Sequence, residues 1–416
     1  MSGVVYRMDA ANSLEYVFAE LERLDLRVRM QIWRMRLSSP PPDQLQPFYI
    51  SETEIDSLLG GSPGSLSSSA VPLTEELQSQ ERESLESLSA RINALRAKAI
   101  EQGNPLRLDK LADVFLLTRF DLDVILACLA PEIDLRYSRL YAYLQDDLSR
   151  PAPTIDMIVK LLCTSQAEQI LAWERLGPHA PLRQQRLLEL VPPAASLDQP
   201  FSGRTLRLDE RVRRYLLQDD GLDQSLDLFA DLYCEPHAGT SVNILPVPVL
   251  DRLSSNLESQ IVYLYGPADV EKLAAAQALA SAKGSRLLIV HGQRLLDLPL
   301  EVFKELAERA MREALLQSAL LYWLDFDKLL NEELAARWLI LRDLLRETSL
   351  STSICVILSG ERPWDAGDAF AGTTGSIRFT RLALHMPDTT QRLKIWTADL
   401  ACEVDESVLR KLATQF

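Results

Sequence analysis

Five short apolar runs, rich in β-branched and aromatic residues, alternate with helix-period sequence over the last third of the chain. They are IVYLY (261–265), RLLIV (286–290), ALLYWLD (319–325), SICVILS (353–359) and IRFTRLAL (377–384). Helix-period stretches lie between them at 271–282, 300–317 and 331–347. Most of these runs lack the polar alternation of a half-solvated strand, so they are expected to be buried on both faces. A strand joined to the next through a helix must cross over and run parallel to it. The pattern therefore predicts a largely parallel sheet covered on both sides, in an α/β domain spanning 248–387.

The first run leads into GPADVEKL, residues 266–273. A phosphate-binding loop has the form G-x-x-x-x-G-K-[ST] between strand and helix. Its glycines let backbone N–H groups close on phosphate oxygens, its lysine reaches the β- and γ-phosphates, and its hydroxyl holds Mg²⁺. Gly266 and Lys272 stand at the right offsets. Glu271 replaces the second glycine and Leu273 replaces the hydroxyl. A carboxylate about 4 Å from a phosphate costs about 4 kcal/mol at an effective dielectric of 20, close to three decades of affinity.

The third run ends in LDFD. A phosphate-loop ATPase carries a metal-holding Asp at such a strand end and usually a Glu that polarises the attacking water. Here Asp325 is at the tip, Phe326 stands in the Glu position and Asp327 follows. Asp325 and Asp327 are candidate metal ligands or caps of the next segment. The fourth run ends in Ser359, a candidate sensor of the γ-phosphate.

The first 240 residues read differently. Leu14, Val17, Leu21, Leu24, Val28, Ile32 and Met35 form a three-four stripe predicting a helix over 12–36, the core of an N-terminal segment 1–37. Residues 38–73 are Pro/Gly/Ser-rich and suit a linker. A second helix is expected over 74–102, with Leu85, Leu88, Ile92, Leu95 and Ala99 on one face. The two stripes either dock onto the rest of the protein or form a hairpin for oligomerisation or partner binding. Residues 107–235 read as mostly helical: two helices over 109–130 with a turn near Asp121, then helices at 134–148, 155–164, 168–176, 182–190 and 209–217. Short extended pieces near Phe201 and Leu206 point to a winged-helix-like module within 74–240. Arg204, Arg207, Arg211, Arg213 and Arg214 make a basic patch there, near Arg183 and Arg186, suited to DNA or to pairing with Asp209, Glu210, Asp219 and Asp220.

Net charge is −15, which opposes broad phosphate-backbone binding. The five cysteines, Cys128, Cys163, Cys234, Cys355 and Cys402, show no metal-knuckle spacing and no disulfide framework. The four histidines, His179, His237, His291 and His385, lie far apart in the chain. No apolar run is long enough to span a membrane, and no secretory leader is seen, so a cytoplasmic, reducing setting is expected.

ANSLEYVFAELERLDLRVR, the tract LACLAPEIDLRYSRLYAYLQDDLSRPAPTIDMIVKLLC, GPADVEKL, MREALLQSALLYWLDFDKL and MPDTTQRLKIW occur in this order. Together they resemble the N-terminal part of the large bacterial AAA+ ATPases that carry a winged-helix domain, many of them associated with extracellular contractile injection systems. The resemblance implies an α plus α/β fold: a winged-helix-like region, then a parallel-sheet AAA+ domain with an incomplete helical lid at 388–416. It implies a degenerate first ATPase module followed, in the family, by an intact second one, so the chain is expected to be part of a longer protein. ATP and Mg²⁺ are the cofactors the family implies. Gly266, Lys272 and Ser359 would be vestigial nucleotide contacts, Asp325 and Asp327 vestigial metal contacts, with weak binding or none. No catalytic residue is assigned. The expected role is a non-hydrolysing scaffold that joins a homo-oligomer or AAA+ ring and takes a protein partner through its N-terminal helix. The alternatives are an active ATPase and a DNA-binding winged-helix regulator.

Overall fold

The computed structural model describes residues 2–38, 75–191, 200–234, 260–267, 269–351, 354–370, 377–384 and 389. The sequence-expected linker (38–73) and lid (388–416) fall almost wholly outside the described residues. The chain divides into two units, 1–220 and 221–416.

The first unit is helical. Helix α1 (Ser2–Ser38) and α2 (Glu75–Glu101) are followed by α3 (Arg107–Phe115), α4 (Arg119–Ile133) and α5 (Arg136–Leu144). Then come α6 (Ile155–Leu162), α7 (Gln166–Arg175) and the short α8 (Pro181–Gln184). Strands β1 (Leu188–Val191) and β2 (Thr205–Leu208) pair antiparallel, and α9 (Glu210–Leu216) closes the unit. Thr154, just before α6, bridges Thr205. Two successive helices, α6 and α7, are thus followed by a β-ribbon that returns to the start of α6. That is the winged-helix arrangement.

The stripe of α1 is used internally: Val17, Leu21, Leu24, Val28 and Ile32 are all buried. Charge fixes the same helix to α4. Arg119 donates to both oxygens of Glu20 at 2.8 and 2.7 Å, and Asp123 accepts from Arg23, Arg27 and Arg119 at 2.9, 2.8 and 2.6 Å. Tyr16 donates to Asp109 of α3 at 2.7 Å, and Arg96 of α2 grips the same carboxylate. The docking alternative therefore holds for the α1 stripe, and the stripe is not free for a partner. The expected turn near Asp121 falls earlier, at Leu116, which is left-handed (φ 52°). Asp121 instead completes the capping box of α4 with Thr118. Strand β1 (Leu188–Val191) takes residues 188–190, which the sequence pattern predicts as the end of a helix over 182–190.

The second unit is a six-stranded sheet with helices on both faces. Its elements are β3 (Ala230–Tyr233), β4 (Gln260–Tyr265), α10 (Asp269–Lys283), β5 (Leu287–His291), α11 (Gly292–Leu296), α12 (Leu300–Gln317), β6 (Leu320–Leu324), α13 (Ala335–Ser351), β7 (Val356–Gly360) and β8 (Arg378–Ala383). The order is β3-β5-β6-β7-β4-β8, and every pairing is parallel except that of β3 with β5. The sheet is therefore mixed and parallel-dominated. The antiparallel edge strand β3 lies within the 74–240 segment that sequence reading assigns to the helical module, but it pairs into this sheet. One face packs Val262, Leu264, Ile289, Tyr322 and Ile357 against Ala275, Ala276 and Leu279 of α10. The other carries Tyr263 and Trp323, and Phe303 of α12 meets the Trp323 ring edge-on at 6.3 Å.

Candidate functional site

β7 lies between β6 and β4, so the loop after β4, the acid tip of β6 and the end of β7 share one carboxyl edge of the sheet. In open α/β sheets this edge is where ligands bind. The fold thus brings Gly266, Lys272, Asp325, Asp327 and Ser359 to neighbouring strand ends and to the helix that follows the loop.

What these residues do there is bind one another. Lys272 is 1% exposed. Its Nζ donates to the carbonyl of Gly266 at 2.9 Å and to the carbonyl of Gly360 at 3.0 Å, and pairs with Asp269 at 2.8 Å. An ammonium has three donors, and three protein acceptors take them. Gly266 is required for a reason other than phosphate: a Cβ there would lie 2.0 Å from the carbonyl oxygen of Leu384. Its N–H donates to Gly360 at 3.2 Å. The loop is stitched to both flanking strands.

Glu271 is also buried, and its Oε2 has no hydrogen-bond partner. Desolvation raises its pKa, against the lowering effect of the Lys272 charge. Leu273 packs against the apolar core beneath α10. This donor set does not suit a magnesium–triphosphate: a buried carboxylate stands in the first turn of α10 where the motif has glycine, the metal-binding hydroxyl is an alkyl group, and the cation is saturated.

At the tip of β6, Asp325 is left-handed (φ 55°) and its N–H donates to Oγ of Ser359 at 3.3 Å. The Ser359 hydroxyl donates to the Trp323 carbonyl at 3.4 Å. The Asp325 carboxylate lies 3.6 Å from Nζ of Lys328. Asp327 accepts from the Glu361 N–H at 2.9 Å. Phe326, standing where a catalytic Glu is expected, is buried in an aromatic cluster with Tyr263, Trp338 and Trp364 at centroid distances of 6.1, 5.3 and 5.0 Å. Among the described residues no group of three or more His, Cys, Asp or Glu side chains is placed to hold a metal ion.

Sequence reasoning misses two members of this edge. Asp269 supplies the third acceptor of Lys272, and Tyr322 is a buried phenol whose pKa is raised by desolvation and by the carboxylates of Asp269 and Asp325. An acid three residues before the lysine, on the same helical turn, was the available signal for Asp269.

The basic patch divides. Arg211 is buried and donates to the Asp219 carbonyl at 3.0 Å, Arg213 pairs with Glu210 at 3.5 Å, and Arg214 pairs with Asp219 at 2.6 Å. Arg204 and Arg207 remain exposed on β2 and its approach. Desolvation and the neighbouring Arg204 charge lower the pKa of Arg183. The helix that a DNA-reading winged helix would present, α7, offers no outward cation: its single arginine, Arg175, is bound to Asp121 of α4.

A family model described as "Winged helix domain, variant" matches residues 8–230. The chain belongs to that winged-helix family. A search of curated proteins finds no match. Among solved structures, one described as "Crystal structure of FIGL-1 AAA domain in complex with ADP" is similar at 14% identity and a TM-score of 0.32, covering 44% of this chain and 74% of that one. That likeness is too slight to bear on the fold or the site. No described helix is long and apolar enough to cross a membrane.

Proposed function

We propose that the second unit is a non-hydrolysing AAA+-type module whose work is architectural. It would contribute to a ring or hold a protein partner in a contractile-injection-type system, in the cytoplasm, while a competent ATPase module elsewhere turns over ATP. The strand order supports the AAA+-type reading, because it sets the loop strand, the polar strand end and the acid-tipped strand side by side along one edge. The single observation that carries the non-hydrolysing reading is the threefold bonding of Lys272 to Gly266, Gly360 and Asp269. A phosphate would have to break these bonds and then face the Glu271 carboxylate.

The working-ATPase alternative needs a free lysine and a metal-holding hydroxyl at these positions. The DNA alternative needs cations on α7. A magnesium-supplemented titration of the full chain with a fluorescent ATP analogue, with phosphate release followed in parallel, tests the proposal. The expected result is no saturable binding in the micromolar range and no turnover. Micromolar, magnesium-dependent affinity that is lost in Lys272→Ala would overturn it.

A further inference from the structure

Helix α7 begins at a Ser165 cap and runs to Arg175. Its inward side is well anchored: Gln169, Ala172 and the following Leu176 are buried, and Arg175 ties the last turn to Asp121 of α4. Its outward side is not what a solvated helix carries. Ile170, Leu171 and Trp173 are 57%, 60% and 43% exposed within four consecutive residues. At 100° per residue, Ile170 and Leu171 flank Ala167 and Glu174 on the outward face, with Trp173 one turn on from Ile170. Ala167 and Glu174 are exposed too, and Glu174 has no ion-pair partner among the described residues.

Three large apolar side chains left exposed on one short helix mark an interaction surface, and a tryptophan one turn from an isoleucine is the usual composition of an interface anchor. The identity of the occupant follows from charge. DNA is disfavoured, because Glu174 is exposed and no outward Lys or Arg of α7 offsets it, while the Glu168 carboxylate is taken up by the Thr164 N–H and hydroxyl at 2.6 and 3.0 Å. A second copy meeting the patch through a two-fold axis would set Glu174 against its own image, or close to it. Each copy would also bring a net charge of −15. A segment with aliphatic side chains around a lysine or arginine satisfies both features at once.

We propose that the outward face of α7 is a protein-docking site for a basic amphipathic segment of another protein, with Ile170, Leu171 and Trp173 taking its apolar stripe and Glu174 its cation. The site is separate from the loop after β4 and does not depend on how that loop is read.

The test uses the full chain and two fluorescein-labelled synthetic helices, one with a leucine stripe flanked by lysines and one with the same stripe flanked by glutamates. Fluorescence anisotropy is expected to show micromolar affinity for the lysine helix and at least about tenfold weaker affinity for the glutamate helix. Trp173→Ser and Glu174→Lys should each weaken the lysine helix by about tenfold while leaving the melting temperature and the circular dichroism unchanged. The proposal would be overturned by absent binding of the lysine helix, by binding that both substitutions leave intact, or by concentration-dependent self-association in sedimentation that Trp173→Ser abolishes. Salt-sensitive DNA binding lost on Trp173→Ser would do the same.

Discussion

Lys272 and Gly360 are 88 residues apart in the chain, and the ammonium of the first donates to the carbonyl of the second at 3.0 Å. The bond joins the helix after β4 to the end of the neighbouring strand β7. The same ammonium also holds the Gly266 carbonyl. The residue that would meet a triphosphate in a working loop has become a strut across the sheet edge.

Gly266→Ala puts a methyl group 2.0 Å from the Leu384 carbonyl oxygen, and backbone cannot retreat as a flexible side chain can. The expected cost is about 3 kcal/mol, at the upper end of overpacking changes. Equilibrium urea unfolding measures it. A variant of unchanged stability would show that the glycine serves a ligand and not the fold.

Phe326→Glu restores the acid that the ATPase pattern places after Asp325. It also buries a carboxylate among Tyr263, Trp338 and Trp364. The expected outcome is a loss of at least about 4 kcal/mol, read by thermal and urea unfolding, with no gain of phosphate release. A folded variant that hydrolyses ATP would contradict this reading of the edge.

Glu271→Met should leave stability at neutral pH unchanged or raise it, by up to about 3 kcal/mol, because it removes a buried oxygen with no partner. The folded-state pKa of Glu271 is raised by desolvation, so the unfolded chain gives up this proton first as pH rises. Its contribution to stability is therefore largest at acid pH. It declines as pH climbs from the ordinary carboxylate range to the raised folded value. Stability measured across that range should fall less steeply with rising pH in Glu271→Met than in the parent chain.

The first unit offers an independent check. Asp123 receives three arginines and is the charge centre joining α1 to α4. Asp123→Ala should cost about 3 kcal/mol, at the low end for breaking a buried ion network because the arginines are partly exposed. Limited proteolysis should then cut within α1 before it cuts elsewhere. Unaltered protease resistance would mean that α1 is held without the Asp123 network, by its apolar stripe and the Glu20 and Tyr16 bonds.

Four of the five parallel strands were legible because a strand buried on both faces writes its burial directly into sequence, as IVYLY and RLLIV do, whereas β8 is a half-exposed edge strand. The wing was harder to see. Leu188–Val191 is four residues long and continues a leucine spacing that fits a helix, so its pairing with Thr205–Leu208 is decided by the return of the chain, which is a tertiary fact. The edge strand Ala230–Tyr233 was hidden for the same reason: it is short, and its antiparallel partner β5 lies more than fifty residues further on. At the loop, the positions of Gly266 and Lys272 could be read from spacing. That the Lys272 bonds turn inward could not, because two of its three acceptors are backbone carbonyls, which no side-chain motif announces. The arginine cluster failed as a unit for a related reason. Arg211, Arg213 and Arg214 sit on a helix beside acceptors at Glu210 and Asp219, whereas Arg204, just before β2, and Arg207, on it, are exposed.

Unfolding of Lys272→Met in the absence of any nucleotide bears most directly on Lys272 as a strut. Methionine keeps an unbranched apolar stem, one atom shorter, and removes the charge and the three donors. If Lys272 is a strut, the variant loses about 1.5–3 kcal/mol of stability against urea, and added Mg-ATP shifts neither it nor the parent chain. If Lys272 is a phosphate ligand, the variant is as stable as the parent without nucleotide, and only the parent is stabilised when Mg-ATP is added.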